Sequence, residues 1–259
     1  MKKHLQKKFL NETELPQDVI DLLAKSELGI SLEDQKKIKS IPKGMTTYLT
    51  TEDNKFFKAF TFRHNNQIKL IPEPDPILVY FNAAYLNYIQ IKDKRNEIFE
   101  KLSGEKLSEV MIKELYDYFG VTSSFVILLF TSIEALMNRC IPNDYTYRRI
   151  TSRKTELFTK SQIENYIPFD EKIKNVLADA TNKNYSTQHP KKYTHISNLK
   201  EFRNMIVHTK EAEGETTYDY VYKKALTFNY EETLDVVKDF CNFYTKDDFI
   251  TECNCSFDW

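Results

Sequence analysis

The sequence predicts a mainly helical protein, a helical bundle preceded by a small α+β element. Only 5 of the 259 residues are glycine and 8 are proline, so long stretches lack the residues that end helices. Aromatic residues make up 14% of the chain, which predicts a core built largely from packed rings. The scarcity of glycine argues against nucleotide-binding βαβ folds, propellers and collagen-like repeats.

The N-terminal part predicts two short helices and a β-hairpin. The helices are expected at residues 17–25 and 32–41, from apolar spacing and from a capping serine before the second. Two β-favouring runs within residues 56–71 flank Asn65-Asn66, a dipeptide typical of tight turns. A hairpin closed by the two asparagines is therefore predicted.

A run of prolines after the hairpin predicts the domain boundary. Pro72, Pro74 and Pro76 cannot continue a strand and form a stiff connector. We expect an N-terminal extension at residues 1–75 and a helical domain at residues 76–259.

The second part predicts helices separated by polar loops. The expected helices are 77–102, 107–140, 161–166, 170–178, 198–209, 216–226 and 231–244. Residues 123–142 are apolar nearly all round, which is typical of a buried helix, and Gly120 is a candidate interruption. Residues 143–160 and 182–197 are polar and are predicted to be loops.

Net charge and hydropathy limit the classes of function that this protein can have. The 37 basic and 38 acidic side chains give a formal net charge of −1, which excludes a globally basic nucleic-acid binder but not a local basic patch. No run of about 18 uncharged apolar residues is evident, and the basic N-terminus has no apolar segment behind it. We therefore expect a cytoplasmic protein with no membrane contact and with reduced cysteines.

One segment, residues 198–210, combines residue types suited to catalysis. On a helix, Leu199, Phe202, Met205 and Ile206 make an apolar stripe. Asn204 and His208 are four residues apart on the polar side near Lys200, and Arg203 lies on the flank between the two faces.

The sequence from Arg203 to His208 resembles the Arg-polar-x-x-x-His motif of HEPN ribonucleases. The similarity extends to Glu134 and Asn138, four residues apart on a predicted buried helix, because HEPN proteins often carry an acid on an early core helix. The resemblance covers roughly residues 76–259 and implies a HEPN-like helical bundle.

The resemblance implies a metal-independent endoribonuclease without a cofactor, of the kind found in toxin and phage-defence systems. In such enzymes the RNA 2′-hydroxyl attacks the adjacent phosphate, leaving a 2′,3′-cyclic phosphate and a 5′-hydroxyl. His208 would move protons, and Arg203 would stabilise phosphate charge. Asn204 would orient His208 or the phosphate, and Glu134 would hold Arg203 in a bidentate pair.

Plainer interpretations of the same residues remain open. Arg203 could pair with Glu201 or Glu134 for structural reasons, and His208 could be a solvated residue at a helix end. Asn138 could only bridge helices.

Further basic and aromatic residues are candidates for RNA binding. They are Lys200, Arg148, Arg149, Lys191, Lys192 and Tyr193. A solvated polar loop would have the same composition. A zinc site at Cys253 and Cys255 with Cys241 is disfavoured by the one-residue spacing, so no metal is predicted.

The expected assembly is a two-fold homodimer. A five-residue spacing makes it hard for one helix to aim Arg203 and His208 at one phosphate, and a symmetry axis can bring together residues of two protomers. Some HEPN toxins carry a modified tyrosine where this chain has Lys210, so that mode of control is not predicted, although a regulatory partner protein remains open. The alternative function is a catalytically silent module that binds RNA, a nucleotide or a protein, and a purely structural oligomerisation domain is a third hypothesis.

Overall fold

The structure is a computed structural model that describes residues 5–7, 17–18, 20–21, 47–50, 56–102, 108–152, 154–208, 218–245 and 249–252. Contacts divide the chain into two compact units. One unit is Lys8–Asp75, and the other combines Met1–Lys7 with Pro76–Trp259. The predicted helix at 32–41 lies outside the described residues, and residues 17, 18, 20 and 21 of the earlier predicted helix are helical.

The chain is mainly helical, as predicted. The strands are β1 (Leu5–Lys7), β2 (Thr47–Thr50), β3 (Phe56–His64), β4 (Gln67–Pro72), β5 (Thr146–Ile150), β6 (Thr155–Thr159) and β7 (Ile250–Glu252). The helices are α1 (Pro76–Leu102), α2 (Glu109–Cys140), α3 (Lys160–Tyr166), α4 (Phe169–Glu171), α5 (Leu177–Thr181), α6 (Tyr185–Gln188), α7 (Pro190–Val207), α8 (Asp219–Thr227) and α9 (Tyr230–Tyr244), with a π-helical turn at Lys172–Val176.

The smaller unit contains the predicted hairpin. Strands β2, β3 and β4 form an antiparallel sheet in that order, and His64 pairs with Gln67 across the turn. Asn65 and Asn66 have φ of 47° and 59°, the left-handed conformation that a two-residue hairpin turn requires and that asparagine tolerates.

Helices α1 and α2 form the spine of the larger unit. Ser108 caps α2 by accepting a hydrogen bond from the Met111 N–H at 3.3 Å. Near the joined ends, Lys101 of α1 and Glu114 of α2 form an ion pair at 2.7 Å, as expected for two antiparallel helices with a short connection. Helix α2 continues through Gly120, so no interruption occurs there.

Helix α2 is long and apolar enough to cross a membrane by length and composition, which the sequence analysis did not anticipate. Part of the same helix is buried within the unit, where it packs against α1, α7 and α9. Each of the four helices contributes a fully buried ring to the core: Phe81, Phe125, Phe202 and Phe240. These contacts are what a core helix makes.

Two predicted loops are wrong. Residues 143–160 contain the antiparallel hairpin β5–β6, in which Arg149 pairs with Glu156. The second loop, 182–197, is replaced by α6 and by the first half of α7, which has Pro190 in its first turn. Proline is favoured there because its missing N–H would have no partner in that turn anyway.

Strand β1 belongs to the larger unit. It pairs antiparallel with β7, and Leu5 lies opposite Glu252. The helical unit is therefore closed by strands from both ends of the described chain.

Replacing Gly120 with alanine should stabilise the protein by about 1 kcal/mol, because alanine loses less backbone entropy in a helix. A Cβ built at Gly120 meets no atom of another residue within 4 Å. Urea unfolding measures the change, and Gly120→Pro should instead destabilise by about 3 kcal/mol. A loss of stability in Gly120→Ala would contradict a continuous helix at this point.

Candidate functional site

The predicted catalytic segment lies on α7, which ends at the motif. Leu199 and Phe202 are buried, whereas Met205 and Ile206 are half-buried. His208 is the C-cap residue, with φ −110° and ψ 46°, and its backbone N–H donates to the Asn204 carbonyl at 2.9 Å. The helix therefore stops at the histidine, one turn after Asn204.

Arg203 is half-buried and is held by uncharged groups. Its Nη1 donates to the Asn204 side-chain oxygen at 3.2 Å, and its Cζ lies 5.4 Å from the centre of the Phe130 ring on α2. A ring face attracts a guanidinium without neutralising it. No carboxylate of the described residues forms an ion pair with Arg203, so the alternative pairing with Glu201 is not found among them.

Glu134 lies close to Arg203 without pairing with it. The predicted bidentate pair is absent from the described residues, although the two charges interact electrostatically. Burial raises the pKa of the Glu134 carboxyl, and the charges of Arg203 and Lys172 offset only part of that effect. Glu134 is therefore a partly buried acid that is easier to protonate than an ordinary glutamate.

The surroundings of Glu134 include two further polar side chains. Lys172, in the π-helical turn, is buried and donates to the Glu164 carbonyl at 2.7 Å, and burial lowers its pKa. One turn along α2, the Asn138 Oδ1 is buried and accepts no hydrogen bond from the part of the chain that the structure describes, so a bridging role for this oxygen is not seen there.

His208 is exposed, and no hydrogen bond or ion pair of its side chain is found within the described part of the chain. The Asn204 side-chain oxygen accepts from Arg203, and no hydrogen bond between the Asn204 amide and the His208 ring is found among the described residues. Within one protomer the motif therefore presents a half-buried guanidinium against α2 and an imidazole at the helix end.

Lys200 and Tyr193 are engaged by one acid. The Lys200 ammonium forms an ion pair with Asp170, and the Tyr193 hydroxyl donates to Asp170 Oδ1 at 2.9 Å. Burial acts to raise the pKa of Asp170, but these hydrogen bonds hold it below its ordinary value. Burial and the Asp170 carboxylate raise the pKa of Tyr193.

Of the remaining residues predicted to bind RNA, some form ion pairs with acids and others do not. Lys192 pairs with Asp239, and Arg149 forms a fork on Glu171 with its Nε at 2.7 Å from Oε1. Arg148 and Lys191 are exposed and have no such partner among the described residues. Among the described side chains predicted to bind RNA, these two are therefore exposed without a neutralising acid.

Phe130 and Lys172 lie near the motif and were not predicted from sequence. Phe130 lies one turn before Glu134 on α2, so the spacing of four residues was the available signal. No comparable sequence signal marks Lys172. Within the described ranges, no group of three or more histidine, cysteine, aspartate or glutamate side chains could hold a metal ion, and Cys253 and Cys255 lie outside those ranges.

No protein-family model, curated protein or solved structure matches this chain. The HEPN resemblance therefore depends on the motif and its setting alone.

The raised pKa of Glu134 predicts that Glu134→Gln is more stable than the wild type at neutral pH. The folded state binds the Glu134 proton more tightly than the unfolded state does. The wild-type free energy of unfolding should therefore fall as pH rises from the ordinary glutamate pKa, about 4.3, through the raised value. The variant lacks this fall, and urea unfolding across this pH range measures the difference.

Glu171→Gln is the matched control and should behave in the opposite way. Hydrogen bonds from Arg149 and then Tyr147 lower the pKa of Glu171, with burial acting against them. The stabilisation is thus present above the ordinary pKa and is lost as pH falls through the lowered one. This variant should be less stable at neutral pH, with a gap that closes in acid. Parallel pH profiles for the two variants would contradict the environment described for Glu134.

Proposed function

We propose that this protein is a metal-independent endoribonuclease in which Arg203 and His208 carry out the cleavage. The observation that carries the proposal is the charge state of the site. Arg149, Lys192 and Lys200 are each neutralised by an acid, whereas Arg203 lies half-buried with no ion-pair partner among the described residues. A half-buried guanidinium without an ion-pair partner is suited to binding a phosphate oxygen.

The neutral contacts of Arg203 support a catalytic role. The Asn204 amide and the Phe130 ring restrict where the guanidinium points but leave its charge for the substrate. Such preorganisation stabilises the extra negative charge that develops on the phosphate in the transition state.

His208 supplies the proton transfers. The 2′-hydroxyl loses its proton as its oxygen attacks the phosphorus, the bond to the 5′-oxygen breaks, and that oxygen gains a proton. A histidine accepts or donates protons near neutral pH, and the exposure of His208 makes it reachable by RNA. The products are a 2′,3′-cyclic phosphate and a 5′-hydroxyl.

The active form in this proposal is a homodimer. Arg203 contacts Phe130 of α2, whereas His208 is the C-cap residue of α7, and this separation of the two groups supports a site built from two protomers. A two-fold axis beside α7 would place Arg203 of one protomer near the His208 of the other. Arg148 and Lys191, both exposed, could bind the flanking RNA backbone.

A cytoplasmic location belongs to the same proposal. Cys140 is a free thiol, as in proteins of a reducing compartment, and RNA is available there. The HEPN resemblance places such an enzyme in a toxin or phage-defence system.

A catalytically silent module that binds RNA, a nucleotide or a protein is the second candidate. It is favoured by the surroundings of His208, because no described side chain fixes its imidazole. The two candidates differ in whether removing the imidazole abolishes a chemical step or only weakens binding.

His208→Ala and Arg203→Ala should each lower RNA cleavage at least about a hundredfold, the usual scale for a lost acid–base group. Arg203→Lys should also be impaired, because lysine keeps the charge but loses the planar fork. Cleavage of labelled single-stranded RNA with EDTA present measures the rates, and the matching DNA should resist because it lacks the 2′-hydroxyl. His64→Ala, which removes an exposed histidine of β3, is the control and should keep full activity.

Full activity of His208→Ala would refute the assignment. Activity that EDTA abolishes and magnesium or zinc restores would indicate a metal-dependent mechanism instead. RNA binding without cleavage by the wild type would favour the silent module.

A mixture of Arg203→Ala and His208→Ala protomers should regain activity if each site combines one residue from each chain. In the mixed dimer, one composite site keeps both groups and the other has neither, so about a quarter of wild-type activity is expected after random exchange. Wild type mixed with the Arg203→Ala, His208→Ala double variant controls for dilution. A mixture that stays inactive, despite proven subunit exchange, would contradict this arrangement.

A further inference from the structure

A cleft lies between α1 and the junction of α8 with α9, and it shares no residue with the motif on α7. Its volume is about 560 Å³, within the range of sites that bind small molecules. Its lining includes Lys92, Arg95 and Phe99 from α1 and Phe228 from the α8–α9 junction.

Two cations of α1 face this cleft without an acidic partner. Lys92 and Arg95 are three residues apart, so they lie on the same face of the helix. Neither forms an ion pair or a side-chain hydrogen bond with another described residue. Lys101, one of the neighbouring cations on α1, is by contrast paired with an acid. The α1 wall of the cleft therefore carries positive charge, opposite Glu231 on the α9 side.

Aromatic rings form much of the remaining wall. Phe99 is 44% exposed, and the Arg95 Cζ lies 6.0 Å from its ring centre, so ring and guanidinium adjoin. Tyr88, Phe228 and Tyr230 also line the cleft. An exposed ring beside a cation favours a ligand that has both a flat ring and an anionic group.

The side of the cleft opposite α1, at the start of α9, is acidic and repels an anion. The Asn229 side chain caps α9 by accepting from the Glu232 N–H, and Glu231 and Glu232 already occupy the first turn. The Glu231 carboxylate also accepts a hydrogen bond from the Tyr88 hydroxyl. We therefore expect the anionic group of a ligand to bind Lys92 and Arg95. The hydrogen-bonding edge of the ligand's ring can reach the polar side at the start of α9.

We propose that this cleft binds a nucleoside phosphate, with the phosphate on Arg95 and Lys92 and the base against Phe99. Arginine can bind a phosphate through two parallel hydrogen bonds, and lysine adds a point charge. The ligand is either a free nucleotide or the terminal nucleotide of an RNA strand, which share this chemistry. The proposal goes beyond ribonuclease activity and does not depend on it.

The cleft adjoins the motif through one aromatic contact. Phe228 packs on Phe202 with ring centres 5.1 Å apart, and Phe202 immediately precedes Arg203. Phe202 thus connects a ligand in contact with Phe228 to Arg203.

Isothermal titration of the full chain tests the site with AMP, GMP, CMP and UMP, and with adenosine and inorganic phosphate alone. At least one nucleotide should bind about tenfold or more tightly than either adenosine or phosphate, because only a nucleotide uses both halves of the cleft. A short oligoribonucleotide, with and without a 5′-phosphate, separates the two sources. Tighter binding of the phosphorylated strand than of the free nucleotide indicates an RNA end.

Variants connect any binding to this cleft. Arg95→Ala should weaken the bound nucleotide about tenfold or more, and Arg95→Lys less, because the charge remains. Phe99→Leu should weaken the nucleotide without changing phosphate binding. Lys113→Ala is the control, because it removes an exposed cation of α2 that pairs with Asp117 outside the cleft.

The His208→Ala protein should bind the nucleotide as the wild type does, which separates this site from the proposed ribonuclease site. Absence of binding by all four nucleotides and by the oligoribonucleotides at millimolar concentration would overturn the proposal. Binding that Arg95→Ala and Phe99→Leu leave unchanged would overturn it as well.

Discussion

Helix α2 has buried side chains along most of its length. The other helices of the larger unit are positioned by packing against these side chains. Phe125 packs on Tyr230 of α9 with ring centres 5.2 Å apart, and the Tyr118 hydroxyl donates to the Ala225 carbonyl of α8 at 3.1 Å. Phe130 contacts Phe169 of α4 on one side and Arg203 of α7 on another. Phe130 thus helps to form the core and also sets the position of Arg203. The packing of the core therefore holds this part of the candidate site in place.

The distribution of charge follows from the same packing. Several half-buried cations of the unit, among them Lys101, Arg149 and Lys200, pair with acids, because removing a charge from water is costly unless it is paired. Arg203 departs from this pattern: a ring and an amide replace the carboxylate, which lowers the cost of desolvation while leaving the net charge in place. Glu134 shows the complementary departure, since it is an acid near cations that forms no ion pair with another described residue, and burial is the largest influence on its pKa. Departures of this kind from ordinary pairing are more frequent at functional sites than elsewhere.

The elements that could be predicted from sequence are those with strong local signals. Residue type and spacing alone predict the Asn65-Asn66 turn, the long apolar α2 and the amphipathic α9.

The β5–β6 hairpin was missed because its charged residues suggest exposure to solvent. In the structure, Arg149 pairs with Glu171, a partner 22 residues away. The first half of α7 was missed because its polar residues have no apolar period, and its partners Asp170 and Asp239 come from other helices. The residues of the motif could be named from sequence, and the four-residue spacing from Glu134 was a signal for Phe130. The contact of that ring with Arg203, and the absence of a Glu134–Arg203 ion pair among the described residues, depend on how α2 and α7 cross.

The pairing of β1 with β7 has a consequence for how the chain reaches its native state. Residue 5 cannot pair until residue 252 has left the ribosome, so this pairing closes a long loop and follows the synthesis of all the helices between them. The unit Lys8–Asp75 is consequently an insertion between a strand and a helix of the same larger unit, not an appendage at one end. A truncation that begins at Pro76 would remove β1 along with the small unit and leave the edge of β7 unpaired, a known route to aggregation.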